Sequence, residues 1–196
     1  MSGVASISQP PLLVAFSAGA SGPWRIDRIT PVVGESLAFA PRLMTTETPI
    51  IDSAALASQS PGGWTLRGAT SNTRYTSRSE TNALAALQQG LGRRDATRAA
   101  LIPVRKTPAW WNLAQDERRA ILEEQSHHIE IGLGYLPAIA RRLHHSRELG
   151  EPFDFLTWFE YAPQDANAFE ELVDRLRLSP EWTFVDREVD IRLSRP

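Results

Sequence analysis

Hydrophobic and polar positions along this chain change period several times, and the changes mark out its elements. "PLLVAFS", "WRIDRITPVV" and "WTLRGATSNTRYTS" carry the apolar runs and alternation of strands. Between them "PRLMTTETPIIDSAALASQSPGGW" has no clear period and reads as a looser segment, with a turn at Pro61-Gly62-Gly63. "SETNALAALQQGLG" predicts a helix capped by Ser79 and stopped by Gly90 or Gly92, and "ATRAALIPVRKT" predicts another strand. Thr107-Pro108 then starts a helical stretch, cap followed by proline, that runs in one or more pieces to Leu149. Gly132, Gly134 and Pro137 are its natural breaks. "FDFLTWFEY" is a strand, and "PQDANAFEELVDRLRL" is an amphipathic helix with Phe169, Leu172, Val173 and Leu176 on one face. "WTFVDREVDIRLSR" closes the chain as a strand: Val185, Val189, Ile191 and Leu193 share one side, and charged residues fill most of the other.

Strands and helices come in blocks, and no glycine-rich phosphate loop joins a strand to a helix. The pattern predicts an α+β fold, an antiparallel sheet with helices on its outer face. The nucleotide-binding and nucleophile-elbow signatures are absent.

Composition narrows the chemistry. The chain has 196 residues, a net charge of −2 and no cysteine. Thiolate catalysis, disulfides and cysteine-held metals are excluded. Charges of both signs are interspersed, so no basic field invites nucleic acid and no polybasic arm invites a membrane. The N-terminus lacks the charged start of a secretory signal, and no apolar stretch of about 20 residues is present; both point to a cytoplasmic protein.

All four histidines fall in "SHHIEIGLGYLPAIARRLHHSR", as His127-His128 and His144-His145. On a continuous helix His127 is surrounded by Glu123, Glu124 and Glu130. His128 has Ile121, Glu124, Gln125, Ile131, Gly132 and Tyr135 around it, the more apolar face, and at Gly132 the missing side chain leaves room for something flat. A partly buried histidine bonded to a neighbour is one reading; a ligand is the other. His128 and His144 are 16 residues apart, roughly 24 Å along an unbroken helix, too far to share one ion. His144 and His145 are therefore expected to be exposed or interfacial. A single histidine without a carboxylate cluster suits haem better than zinc, because the macrocycle supplies the other donors. Trp110, Trp111 and Tyr135 are near enough in sequence to wall such a slot; the tryptophan pair also reads as a core anchor at a helix start.

"RKTPAWWNLAQDERRAILEEQSHHIEIGLGYLPAIARRLHHSRELGEPFDFLTWFEYAP", with "AFEELVDRLRLSPEWTFVDREVDIRL", closely resembles the chlorite dismutase family of haem proteins, in its short, dimeric branch. The likeness is strongest over residues 95–196 and reaches the N-terminus through "SGPWRI", "PVVGESL" and "LRGATSNTRY". It implies a dimeric α+β barrel of two ferredoxin-like halves, a trimmed one over residues 1–100 and one binding haem b over residues 101–196. It implies decomposition of the small anion chlorite to chloride and dioxygen, in a homodimer with one haem per subunit. By the same resemblance the proximal iron ligand is His128, its carboxylate partner Glu181, and Lys106 joins that network. Trp110 and Trp111 stand beside the haem, Arg74 and Tyr75 near its propionates, and Thr157 and Phe159 in the distal pocket. The distal catalytic residue is Arg141, with Arg142 the competing register. Thirteen residues of straight helix would hold His128 and Arg141 about 20 Å apart, so a bend is expected between them. Other readings are a coprohaem decarboxylase, whose kind generally lacks the distal arginine, a dye-decolourising type of peroxidase, and a haem carrier or sensor.

Overall fold

The structure, a computed structural model, describes residues 12–49, 63–70, 75–87 and 90–196. Within these residues eight strands close into a barrel: β1 (Leu12–Gly19), β2 (Trp24–Val33), β3 (Arg42–Pro49), β4 (Trp64–Thr70), β5 (Arg98–Lys106), β6 (Ala140–His145), β7 (Phe155–Tyr161) and β8 (Val185–Ser194). The helices are α1 (Arg78–Leu87), α2 (Pro108–Asn112), α3 (Gln115–Arg119), α4 (His128–Gly134) and α5 (Ala166–Arg177).

Every strand pairing is antiparallel, and the order around the barrel is β4-β1-β3-β2 followed by β8-β5-β7-β6. Each set of four is arranged alike: last strand, first, third, second. The sets differ in their connections. Residues 20–23 join β1 to β2 with no helix, whereas α2, α3 and α4 lie between β5 and β6.

Period-two alternation explains how the barrel fills. Val14, Phe16, Leu43, Leu66, Leu101, Leu156, Trp158 and Ile191 point inward and pack as one core. Ala100, Ile102, Phe159 and Val185 point outward and meet Phe169, Leu172, Val173 and Leu176 of α5, the face its periodicity predicted; Val185 is thereby parted from Val189, Ile191 and Leu193, with which alternation groups it, by the register shift opposite Arg105 and Lys106. Each such large side chain removed from water contributes roughly 1.5–3 kcal/mol. The charged face of β8 is buried as well. Glu188 is 0% exposed, and Asp190 and Arg192 are nearly so, beneath a set of ion pairs with Arg177 and Glu170.

Three expectations need correction. The loosely patterned segment contains β3, whose alternation is hidden by Thr45, Thr46 and Thr48. Helix α1 is capped by Ser77, not Ser79: the Glu80 N–H donates to Ser77 Oγ and the Ser77 N–H to Glu80 Oε2, a capping box. The stretch from Pro108 to Leu149 is not helical throughout. After α3 a π-helical turn (Ala120–Gln125) ends at Ser126, His127 takes the left-handed conformation (φ 51°), and α4 starts afresh. The last part, "ARRLHH", is strand β6 between β4 and β7. Its residues have no apolar period, so only pairing along both edges makes it a strand.

Candidate cofactor site

The site grows from the restart of the chain at His127. Glu123 folds back so that its carboxylate accepts the N–H groups of Ile129 (2.6 Å) and Glu130 (3.2 Å), capping α4. This turn gives the two adjacent histidines opposite environments. His127 is exposed and pairs with Glu130 at 3.1 Å. His128, the first residue of α4, faces inward, and its Nδ1 lies 2.7 Å from Glu181 Oε2.

Glu181 sits in a 3-10 turn (Pro180–Phe184), where its N–H donates to Ser126 Oγ at 2.9 Å. The carboxylate is buried and also accepts from Lys106 Nζ at 2.8 Å. Burial alone would raise its pKa, but the charges of His128 and Lys106 and their hydrogen bonds outweigh it and hold the group down at about 2. An ionised Glu181 can only accept, so His128 donates to it through Nδ1–H, which leaves Nε2 as the nitrogen available to a ligand. Lys106 is itself buried, 4.8 Å from the Trp110 ring centroid and 5.3 Å from that of Trp182.

His128 lies on the wall of a cavity between the outer face of β5, β7 and β6 and the helices α4 and α5. As it stands its volume is about 150 Å³, below the roughly 300–1,000 Å³ of ordinary ligand pockets. Its walls are mostly apolar: Ile102, Val104, Leu143, Phe155, Phe159 and Leu172. Arg141 enters from β6. Its guanidinium carbon lies 3.6 Å from the point where a side chain on Gly132 would begin, so the flat group seated over that glycine is the guanidinium itself. Burial lowers the Arg141 pKa. Arg142, the next residue, projects from the other face of β6 and pairs with Glu47.

The remaining residues singled out in the sequence divide by position. Trp110, Tyr75, Lys106, Glu181, Thr157 and Phe159 line the cavity with His128 and Arg141. Trp111 is not on its wall. It stacks on the outer side of Phe155 at 5.9 Å, and its Nε1–H donates to Asp154 Oδ2 at 3.1 Å. Arg74 lies outside the described residues. The second histidine pair is not exposed. His144 is 0% exposed inside the barrel, bonded through Nδ1 to the Leu156 carbonyl at 2.9 Å, and His145 lines the cavity. A continuous helix would have turned both outward; a strand sends one to each face. The sequence reading passed over Trp182 and Glu188, which also line the cavity. The signal for Trp182 was its place beside Glu181; nothing local marked Glu188.

The residues present suit a ligand that brings its own metal. Among the described residues no three His, Asp or Glu side chains converge on a metal position. Of the two histidines on its wall, His128 alone is backed by a carboxylate among the described residues; that imidazole with apolar walls is a donor set suited to a planar macrocycle needing a single axial ligand. The buried Trp110 Nε1–H has no partner among the described residues and leaves a donor for a ligand oxygen.

Fold and site together define an α+β barrel protein with a carboxylate-held histidine on the wall of an apolar cavity. The model of the chlorite dismutase family matches residues 43–195, and the chain belongs to that family. A structure of dimeric chlorite dismutases from Nitrobacter winogradskyi is 55% identical, with a TM-score of 0.85, covering 93% of this chain and 99% of that one. The chlorite dismutase of Ideonella dechloratans is 40% identical over 88 residues, a segment spanning 44% of this chain and 29% of that protein. A mutant chlorite dismutase from Candidatus Nitrospira defluvii shares the fold at 19% identity, with a TM-score of 0.67 over 94% of this chain.

Proposed function

We propose that this chain is a haem b enzyme that decomposes chlorite to chloride and dioxygen, and that it works as a homodimer with one haem in each subunit's cavity. The observation that carries the reading is the hydrogen-bonded series Lys106–Glu181–His128 opening onto an apolar cavity that Arg141 also enters. Family membership and the likeness to the dimeric Nitrobacter proteins support it. The division into two ferredoxin-like halves is part of the reading. The repeated strand order supports it.

The bound haem would supply an iron able to exchange oxygen with chlorite. The overall change, one chlorite to one chloride and one dioxygen, balances without an external electron donor. His128 would hold the iron through Nε2. Glu181 keeps the Nδ1 proton and makes the imidazole a stronger donor, and Lys106 keeps Glu181 ionised. The apolar walls exclude water, so a charge inside acts over a low dielectric. Arg141 would attract the anionic substrate and keep anionic fragments of it from leaving the cavity before the reaction is complete. Trp110 and the Tyr75 side of the cavity, with Arg74, are assigned to the propionates, and Thr157 and Phe159 to the wall near the substrate.

An oxygen-electrode assay on haem-loaded protein tests the function: one dioxygen per chlorite consumed is expected. Haem bound through His128 with no oxygen evolved would overturn the activity and leave a carrier or sensor.

A further inference from the structure

We propose that Trp182 is a positioning residue that sets the rotational orientation of the His128 ring, and that Glu188 and Arg177 hold Trp182 in place to do so. The inference rests on the reading above, in which His128 is the axial ligand.

A single hydrogen bond at Nδ1 fixes one atom of an imidazole. Because a hydrogen bond tolerates a range of angles, the ring can still rock about its χ1 and χ2 torsions, carrying Nε2 with it. Something else must stop that rotation if the lone pair is to keep one direction. Trp182 directly follows Glu181 in the same 3-10 turn. Its ring plane lies within 18° of the His128 plane, with centroids 6.4 Å apart. This is an offset-stacked arrangement, and the indole face bars that rocking from one side.

The indole is itself immobilised. Its Nε1–H donates to Glu188 Oε2 at 2.7 Å. The other oxygen of Glu188 accepts from Arg177 Nε and Nη2 at 2.8 and 2.6 Å, and Arg177 reaches Asp190 at 2.9 Å. Glu188 is 0% exposed. A carboxylate so deeply buried is held only by close partners, and these short, charge-assisted bonds also fix its direction. The Lys106 ammonium, already paired with Glu181, sits 5.3 Å from the Trp182 ring. Two supports therefore converge on His128: Glu181 at its Nδ1 edge and Trp182 over its face. The second runs back through Glu188 to Arg177, the last residue of α5. Trp182 and Glu188 both line the cavity, so the series ends where the ligand lone pair is used.

The test is resonance Raman spectroscopy of the ferrous haem-loaded protein, reading the iron–histidine stretch in wild type, Trp182→Leu, Trp182→Phe and Arg177→Gln. Wild type should give one narrow band. Trp182→Leu should keep haem on His128 but split or broaden that band, as the ring samples more than one orientation. Trp182→Phe, which restores a flat face, should return the narrow band. Arg177→Gln, at the rim of the network, should broaden it less than Trp182→Leu does. If Trp182→Leu does not fold, the Arg177→Gln comparison decides. Narrow bands at the wild-type position in every variant that folds would overturn the positioning role while leaving His128 as ligand. No iron–histidine band in wild type would overturn both the ligand assignment and this inference.

Discussion

Strand β6 presents Arg141, Leu143 and His145 to the cavity on one face and Arg142 and His144 to the barrel interior on the other. The two faces put the same residue types to different uses. His128 on the cavity wall and His144 in the interior each donate an Nδ1–H, at 2.7 Å and 2.9 Å. The acceptor of the first is a buried carboxylate, and that of the second is the Leu156 carbonyl. On His128, Nε2 is left for the cavity. The Nε2 of His144 is buried with no partner among the described residues, beside the edge of Phe16. Burial pushes the His144 pKa down to about 4. An imidazole is made a ligand by an anion behind it and space in front; without either it becomes a neutral piece of core. The arginines repeat the contrast. Arg142 pairs with Glu47 on the interior face, whereas Arg141 is carried into the apolar cavity beside Gly132.

The largest test of this contrast exchanges the two histidines' fates. His128→Ala should abolish tight haem binding in a spectral titration, while His127→Ala and His144→Asn retain it. Normal haem retention by the His128 variant would remove the distinction altogether.

The next effect is on stability. His144 has a folded pKa of about 4 against 6.5 unfolded, so the unfolded chain binds more protons between those values. Its contribution is fully present above pH 6.5 and falls away as the pH drops toward 4. The loss amounts to about 3 kcal/mol across that window. His144→Asn keeps a donor for Leu156 but cannot titrate. Its urea-unfolding free energy should fall less than that of wild type between pH 7 and pH 4.5, and parallel curves would refute the assignment.

Glu181→Gln should weaken haem binding by roughly 10- to 100-fold and raise the ferric/ferrous potential, because a neutral amide supports the ferric state less than a carboxylate does. Spectroelectrochemistry reads the sign directly, and an unchanged or lowered potential counts against the carboxylate as the difference between the two histidines.

Arg141→Ala should bind haem but evolve oxygen more slowly, by roughly tenfold. It should also release more hypochlorite and bleach its haem after fewer turnovers. Arg141→Lys should rescue only part of this, since an ammonium lacks the planar fork of donors. Arg142→Ala, on the interior face, should have the smallest effect of all. Oxygen yield per haem, with and without methionine as a hypochlorite trap, separates these variants. Equal trap protection in wild type and Arg141→Ala refutes retention, and a large Arg142 effect moves the role to the other face.

Much was legible where local pattern and burial agree. The strands β1, β2, β5, β7 and β8 and the apolar face of α5 follow from alternation and helical period, because each buries the face its pattern marks. The split between His127 and His128 was legible for a partly mistaken reason: the apolar, glycine-bearing side is the inward one, but a left-handed turn and a new helix make it so. Lys106, Glu181 and Arg141 came from the resemblance, and no spacing along the chain pairs them.

The rest belongs to the tertiary structure. "ARRLHH" has no strand period of its own; β4 and β7 impose one through backbone hydrogen bonds, and with it the choice between Arg141 and Arg142. Glu181, 53 residues from His128 and 75 from Lys106, meets both because the closing of the barrel brings the turn before β8 against the end of β5 and the start of α4. Glu188 reads as one of the charges on the polar side of the last strand and becomes fully buried because α5 covers that face with Arg177. The sequence determined which segments could bury an apolar face. Which charges would be buried together was decided by long-range pairing, because a buried ion is stable only where its partner arrives from elsewhere in the chain.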